Sequence, residues 1–359
     1  GIKLVLGYTV EGFKEKDNGV EVLLKDNPSL QADMVVLAIG VTPDTALAKE
    51  AGLELGIKGS IVVNDRMETS VPDIYAAGDA VQVKHYVTGD DALISLAGPA
   101  NKQGRIIADN ICGGDSHYLG SQGSSVIKVF DMTAATTGIN ETNAKKSGLE
   151  VDTVILSPMS HAGYYPGGKV MTMKVVFEKE TYRLLGAQII GYEGVDKRID
   201  VLATAIHAGL KATQLKDLDL AYAPPYSSAK DPVNMAGFMI DNIAKGTLKQ
   251  WHLEDMDKIS KDKNVVLLDV RTVGEFNRGH MKGFNNIPVD ELRERISEIE
   301  KGKPVYLICQ SGLRSYIASR ILEGNGYETY NFSGGFRFYD TVVNDRALIE
   351  RAYACGMDY

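Results

Sequence analysis

Val305-Tyr306-Leu307-Ile308-Cys309-Gln310-Ser311-Gly312-Leu313-Arg314-Ser315 is the stretch from which the fold can be read. An apolar run leads to a cysteine, and a loop of small residues then ends in arginine. From Ser315 to Glu323, Ile317, Ile321 and Leu322 recur at helical spacing. Cys309 therefore falls at a strand-to-helix switch, at the mouth of a loop. Successive backbone N–H groups and the positive end of the following helix point towards its sulfur. Such a setting favours a thiolate or a bound sulfur anion. A lone cysteine on a strand is more often an inert core residue. Gly312 and Arg314, at fixed offsets, turn the reading to a reactive one.

The chain has 359 residues, which suggests roughly two to three domains, each with its own core. Its formal charge of -8, with no basic stripe, argues against nucleic acid as a partner. The three cysteines, Cys112, Cys309 and Cys355, form no C-x-x-C pair and no disulfide framework. A reducing, cytoplasmic setting is expected, with Cys112 and Cys355 structural or incidental. No apolar run reaches the length of a membrane span, and no metal site is expected. The chain opens at Gly1 directly into a strand pattern (Ile2, Leu4, Leu6) and carries no G-x-G-x-x-G loop. These features suggest the C-terminal portion of a longer protein.

Along the chain, short strands are expected at 3–6 and 19–24, the second after a hairpin turn at Lys16-Asp17-Asn18-Gly19. The run 32–40 is apolar nearly throughout, as in a strand buried on both faces of a parallel sheet. It ends in Gly40-Val41-Thr42-Pro43, where Gly40 allows a backbone to approach a ligand or simply turns the chain. Strands at 60–63 and 74–80 follow, the latter closing on Gly78-Asp79. A carboxylate at the carboxyl end of a parallel strand sits where α/β sheets bind ligands. A helix over 96–112 is rich in small residues. Strands at 125–130, 170–177 and 185–191 and amphipathic helices at 198–208 and 233–245 come next. Two proline-braced tyrosine clusters stand out, Ser160-His161-Ala162-Gly163-Tyr164-Tyr165-Pro166-Gly167 and Ala221-Tyr222-Ala223-Pro224-Pro225-Tyr226-Ser227. Both could be interface aromatics. After a linker at 246–254, with Trp251 as a core anchor, a strand at 264–271, a helix at 291–299 and the run 329–335 flank the Cys309 unit. The expected fold class is α/β and α+β, in several domains.

Thr69-Ser70-Val71-Pro72-Asp73-Ile74-Tyr75-Ala76-Ala77-Gly78-Asp79 resembles the second flavin motif of the pyridine nucleotide-disulfide oxidoreductases. Leu37-Ala38-Ile39-Gly40-Val41-Thr42-Pro43 resembles the segment linking their nicotinamide and flavin domains. The resemblance implies Rossmann-like C-terminal parts of an NAD(P)H-binding domain (1–60) and a FAD-binding domain (61–123). It implies FAD contacts at Gly78, Asp79 and Ala80, with Leu96 and Ala97 near the flavin ring. Residues 124–246 resemble the dimerisation domain, which implies a homodimer. The tyrosine clusters resemble those of coenzyme A-disulfide reductases and their relatives. By that resemblance Tyr165 (or Tyr164) and Tyr226 reach the partner's active site, where a phenol can donate a hydrogen bond to a departing thiolate. Asn101, His161 and Asn234 then lie near the nucleotide or coenzyme A.

Residues 255–359 resemble the rhodanese family throughout, in Asp269-Val270-Arg271, Glu275-Phe276, Gly279-His280, the Cys309 loop and Gly334-Gly335. Four residues separate Cys309 from Arg314. The related cell-cycle phosphatases use one more, and the tighter loop suits a persulfide sulfur. The joint expectation is a FAD- and NAD(P)H-dependent reductase of coenzyme A disulfide, persulfide or polysulfide, with sulfane sulfur carried on Cys309 and cradled by Arg314. Rival expectations are an NADH oxidase or peroxidase of the same superfamily, or a non-redox sulfur carrier or sensor.

Overall fold

The computed structural model describes residues 5–354. Cys355 and Gly1–Leu4 lie outside the described residues, and Val5 and Leu6 are not in a strand. The chain divides into two compact units, residues 1–42 with 339–359, and residues 43–338.

In the first unit β1 (Val10–Lys16), β2 (Gly19–Leu24) and β3 (Asn27–Ala32) form an antiparallel meander. Lys16 pairs with Gly19 across the expected tight turn. Gly19 sits at φ +138°, and a Cβ there would lie 2.5 Å from the Ala32 carbonyl oxygen. The expected buried strand at 32–40 is not present. β3 ends at Ala32, and Val36 and Ile39 are 77% and 84% exposed. No strand among the described residues pairs with this run, so its apolar side chains remain in solvent.

The second unit begins with α1 (Ala46–Glu50). β4 (Ile61–Val62), β5 (Val81–Lys84) and β6 (Asp91–Ala92) then form a small sheet, followed by α2 (Ala97–Ile111). Met67, Val81 and Val83 make its core, with Ile106 and Ile107 of α2 packed against them. The strand expected at 74–80 is also absent. Only Tyr75 bridges, to Glu68, and the Gly78 amide is taken by the Gln103 side chain at 2.8 Å. Asp79 thus lies on a turn before β5, not at the end of a strand.

The next layer is an antiparallel sheet of β7 (Ser125–Val129), β8 (Met132–Gly138), β9 (Val151–Leu156), β10 (Thr172–Glu178) and β11 (Leu184–Gly191), ordered β7-β8-β11-β10-β9. α3 (Glu141–Lys146) joins β8 to β9. α4 (Val195–His207) and α5 (Pro232–Ala244) cover the sheet. Met173, Val175, Leu202 and Ile240 are fully buried in this core. Helix starts follow local chemistry: the Asp231 carboxylate caps α5 by accepting from the Val233 amide, and Pro232 stands at the first turn.

The last layer contains β12 (Gln250–Trp251), α6 (Met256–Ile259), β13 (Val266–Asp269), α7 (Val273–Arg278), β14 (Asn285–Asn286), β15 (Val305–Ile308), α8 (Leu313–Glu323), β16 (Thr329–Phe332) and the first four residues of α9 (Gly335–Ala354). Its five strands are all parallel, ordered β12-β16-β15-β13-β14. Trp251 is 2% exposed and packs on Phe332, Phe284 and Tyr306, as expected of a core anchor. The helix expected at 291–299 reduces to turns and a short 3₁₀ segment, Ile296–Glu298. The Ile296 carbonyl accepts from the Ile299 amide, and the Tyr327 hydroxyl, 3.0 Å from the Ile299 carbonyl, can donate to that oxygen without a further helical turn.

The last two layers join along β9. The Ile155 amide donates to Ser333 Oγ at 3.0 Å, the Gln250 amide group to the Thr153 carbonyl at 2.8 Å, and His252 Nε2 meets Asp152 Oδ1 at 2.9 Å.

Candidate active site at the Cys309 loop and the tyrosine loops

Cys309 directly follows β15 and is 1% exposed. Its Sγ accepts from the Gly312 amide at 3.1 Å and from the Ser315 hydroxyl at 3.2 Å. Gly312 holds φ +98° as the residue capping α8, a left-handed conformation that favours glycine. The Gly312 carbonyl accepts from Asn331 Nδ2 at 3.1 Å. The loop is closed from the far side by the Phe336 amide, which donates to the Cys309 carbonyl at 2.8 Å. Gly335 passes so close that a Cβ would meet the Gln310 carbonyl oxygen at 2.7 Å. The loop therefore surrounds one sulfur with backbone and hydroxyl donors.

Arg314 is held differently from the expectation. Its guanidinium forms a two-point pair with Glu275, at 2.7 Å for each N···O contact. Thr272 also donates to this carboxylate, through its amide and its hydroxyl. The Arg314 guanidinium, backed by the Thr272 bonds, holds the Glu275 carboxyl down at about 2, and Glu275 in turn raises Arg314 above its ordinary value. The donors that touch the sulfur are Gly312 and Ser315. Beneath the loop, buried Arg271 pairs with buried Asp269 at 2.6 Å and donates to the Gly279 carbonyl at 2.8 Å. The Phe336 ring lies 3.8 Å from the Arg271 guanidinium carbon.

The two tyrosine clusters meet at a second centre. The Tyr164 and Tyr222 hydroxyls lie 3.2 Å apart, and this contact raises the Tyr222 phenol above its ordinary value. Tyr165 packs edge-on against buried His161, whose Nδ1 faces the Ala162 carbonyl at 3.1 Å. Tyr226 is 71% exposed. Arg198, 1% exposed, ties the loops together. It donates to the Ser160 carbonyl at 2.9 Å, the Tyr226 carbonyl at 3.3 Å, Ser227 Oγ at 3.2 Å and Asp231 Oδ2 at 3.0 Å. Asn234 spends its amide hydrogens on the Leu215 and Leu218 carbonyls, a structural use.

The flavin-motif residues form a third cluster. Gly78 sits at φ +90°, and Asp79 is exposed. The Asp79 carbonyl accepts from Ser95 Oγ at 3.3 Å, and the Ala80 carbonyl accepts from the Ile61 amide at 2.8 Å. Leu96 caps α2 without a side-chain hydrogen bond, Ala97 opens the helix, and Asn101 bonds back to the Ala97 carbonyl. The Asp79 carboxylate is of a kind that accepts from the hydroxyls of a flavin, and the α2 start, where Ala97 and Gly98 precede Pro99, offers the positive end of a helix to its anionic ring. Gly40, at φ +94°, belongs to the first unit. Among the described residues no His, Cys, Asp or Glu cluster could hold a metal ion. No described helix is long and apolar enough to cross a membrane.

Residues 1–104 match the family described as pyridine nucleotide-disulphide oxidoreductase, residues 124–232 its dimerisation domain, and residues 252–340 the rhodanese-like domain. The chain belongs to the pyridine nucleotide-disulphide oxidoreductases and carries a rhodanese-like domain. The crystal structure of reduced CoADR-RHD from Bacillus anthracis aligns with a TM-score of 0.90 at 47% identity, over 94% of this chain and 60% of that one. The NAD-dependent persulfide reductase from A. fulgidus aligns with a TM-score of 0.84 at 40% identity, over 92% of this chain and 60% of that one. The CoA-dependent NAD(P)H sulfur oxidoreductase of Pyrococcus abyssi is 39% identical over 65% of this chain and 52% of its own length. The chain thus spans about half the length of the curated relatives it matches. The fold class, mixed α/β with dimerisation and rhodanese domains, is as the sequence led one to expect.

Several residues of the site escaped the sequence. Glu275 was read only as part of the rhodanese-like Glu275-Phe276 and not as the partner of Arg314; in the structure it also closes a capping box with Thr272. Ser315, Asn331, Tyr222 and Arg198 gave no local signal of their roles.

Proposed function

We propose that the protein is a flavin-dependent NAD(P)H reductase of coenzyme A disulfide, persulfide or polysulfide, acting as a homodimer, with Cys309 as its sulfane-sulfur carrier. The observation that carries the reading is the Cys309 sulfur, enclosed by a four-residue loop and faced by the Gly312 N–H and the Ser315 hydroxyl. These donors stabilise negative charge on a thiolate or on the sulfur anion of a persulfide. Arg314, oriented by Glu275, lends positive charge at the loop rim.

Asp79, with Gly78 and Ala80, would hold the ribitol chain of FAD, and the first turn of α2 at Leu96 and Ala97 would face its ring. FAD supplies the electrons that NAD(P)H delivers. Tyr226 and Tyr165 are the phenols that would donate a proton to a departing thiolate, set in place by Arg198. Coenzyme A is the thiol whose disulfide or persulfide is reduced, and His161 and Asn101 would lie near it. Domain limits of 1–60, 61–123, 124–246 and 255–359 fit this division of labour.

A water-forming NADH oxidase from Lactobacillus brevis, and an engineered water-forming NADPH oxidase derived from it, each align over 67% of this chain at 29% identity. The persulfide reductase alignment extends over 92% of this chain, against 67% for the oxidases, which favours the reductase reading. The test is spectroscopic and kinetic. The full-length protein should show a flavin band that NADH bleaches and coenzyme A persulfide restores. Cys309→Ser should abolish thiosulfate:cyanide sulfur transfer while NADH-dependent disulfide reduction persists. A colourless full-length protein contradicts the reductase, and sulfur transfer that survives Cys309→Ser contradicts the carrier.

A further inference from the structure

A cavity of about 390 Å³ lies where β9 and α5 face the Cys309 loop. Three of the four residues between Cys309 and Arg314, namely Ser311, Gly312 and Leu313, form one wall. The opposite wall is apolar, with Leu156, Pro158, Met235, Phe238 and Met239. Lys230 also lines it, with its ammonium 5.6 Å from the centre of the Phe238 ring and no carboxylate within ion-pairing distance among the described residues. Two further lining residues, Ser157 and Asn331, each bury a polar atom, Oγ and Oδ1, that has no hydrogen-bond partner. Asn331 is 3% exposed, and its other side-chain atom holds the Gly312 carbonyl. Buried polar atoms of this kind are costly when left without a partner.

We propose that this cavity binds the organic thiol that accepts sulfur from Cys309, and that it selects thiols with an elongated apolar body and an anionic far end. The inference rests on the reading of Cys309 as a sulfane carrier and adds the class of its acceptor. The apolar wall takes the body, Lys230 attracts the anionic end, and the reacting sulfur lies at the loop. The acceptor thiolate R–S⁻ attacks the outer sulfur of Cys309–S–SH. The bond between Cys309 Sγ and that sulfur breaks, and its electron pair stays on Cys309 as thiolate. The product R–S–SH leaves with the transferred sulfur and its proton. The Gly312 amide and the Ser315 hydroxyl are already directed at the sulfur that becomes the leaving thiolate. A small acceptor such as cyanide has no body to place and should ignore the cavity.

The experiment uses the full-length protein with thiosulfate as sulfur donor. The acceptors are a ladder of mercaptoalkanoates from 3-mercaptopropionate to 8-mercaptooctanoate, with cyanide as the reference acceptor. Each buried methylene should raise kcat/KM about 3- to 4-fold until the cavity is filled. Phe238→Ser and, separately, Met235→Gln should flatten this dependence, and Lys230→Gln should raise KM for the longest thiols. All three variants should keep the cyanide rate, which also shows that the loop is folded. A flat chain-length profile in the unaltered protein, or one that none of the three substitutions changes, overturns the proposal while leaving the carrier reading intact. Absence of cyanide transfer in the unaltered protein overturns the carrier reading and this proposal together.

Discussion

Glu275 and Arg314, thirty-nine residues apart in sequence, meet in a two-point ion pair with both N···O distances at 2.7 Å. The pair fixes the last residue of the Cys309 loop to the start of α7. It also means that the positive charge Arg314 lends at the loop rim is partly offset by the carboxylate it holds. The local donors Gly312 and Ser315 therefore carry the direct contact, and the charge at the rim is tuned by Glu275.

This pair predicts a specific acid sensitivity. The Glu275 carboxyl titrates at about 2, below its ordinary value of 4.5. A carboxyl depressed in the folded state contributes stability above its unfolded value, and that contribution is lost as pH falls through the folded value. The window here runs from about 4.5 down to about 2. Glu275→Gln should cost about 1 kcal/mol at pH 7, as expected for a half-exposed two-point pair. Urea unfolding followed by circular dichroism should show this gap narrowing across that window. A gap of constant size down to pH 2 contradicts the assignment.

The Ser315 hydroxyl donates to Cys309 Sγ and is fully buried. Ser315→Ala removes one donor and leaves the Gly312 amide in place. One lost hydrogen bond to a charged group is worth about 1.5–3 kcal/mol, so thiosulfate:cyanide transfer should slow by about 10- to 150-fold. A rate unchanged from that of the unaltered protein would show that the hydroxyl serves only the Gly312 carbonyl, to which it also lies close.

The features of this site that were legible in the sequence are local ones. The run from Val305 to Ile308, the glycine and the helical spacing after Ser315 are each read within a dozen residues, and β15, the loop and α8 follow them closely. Partners distant in sequence were not legible. Nothing near Arg314 announces Glu275, and nothing near Gly312 announces Asn331, because those contacts are made by the fold. The apolar run 32–40 misled for a related reason. Its composition suits a strand covered on both faces, but composition does not supply the neighbouring strands that would cover it. β8, Met-Thr-Ala-Ala-Thr-Thr-Gly, was missed because its small, polar residues lack the apolar alternation of an ordinary half-buried strand.

Tyr226 and Tyr222 separate two uses of a phenol. Tyr226 is 71% exposed, whereas Tyr222 shares a hydroxyl contact with Tyr164. If Tyr226 donates to a departing thiolate, Tyr226→Phe should slow disulfide or persulfide reduction by about 5- to 150-fold, the equivalent of about 1–3 kcal/mol. Flavin content should not change. Tyr222→Phe should instead act through Tyr164, with a smaller effect on rate. Equal effects of the two substitutions would place both tyrosines in one shared structural role. Stopped-flow reduction of the disulfide by the pre-reduced protein measures this without interference from NADH binding.

Arg198 offers the strongest test of how the tyrosine loops are held. Its guanidinium is almost fully buried and so is its carboxylate partner, Asp231. Removing one member of such a pair leaves the other charge without compensation in a dry site, which costs about 3–5 kcal/mol. Arg198→Met should lower the thermal midpoint steeply, and Arg198→Met with Asp231→Leu should recover a large part of the loss. Arg198→Lys keeps the charge but not the fork that reaches both the Ser160 and the Tyr226 carbonyls. That variant should fold, because the ion pair to Asp231 survives. Its KM for the coenzyme A substrate should rise more than its kcat falls, because the two loops lose their common anchor while the phenols remain. Full rescue of KM by lysine would show that charge alone, and not the bridging geometry, positions the loops.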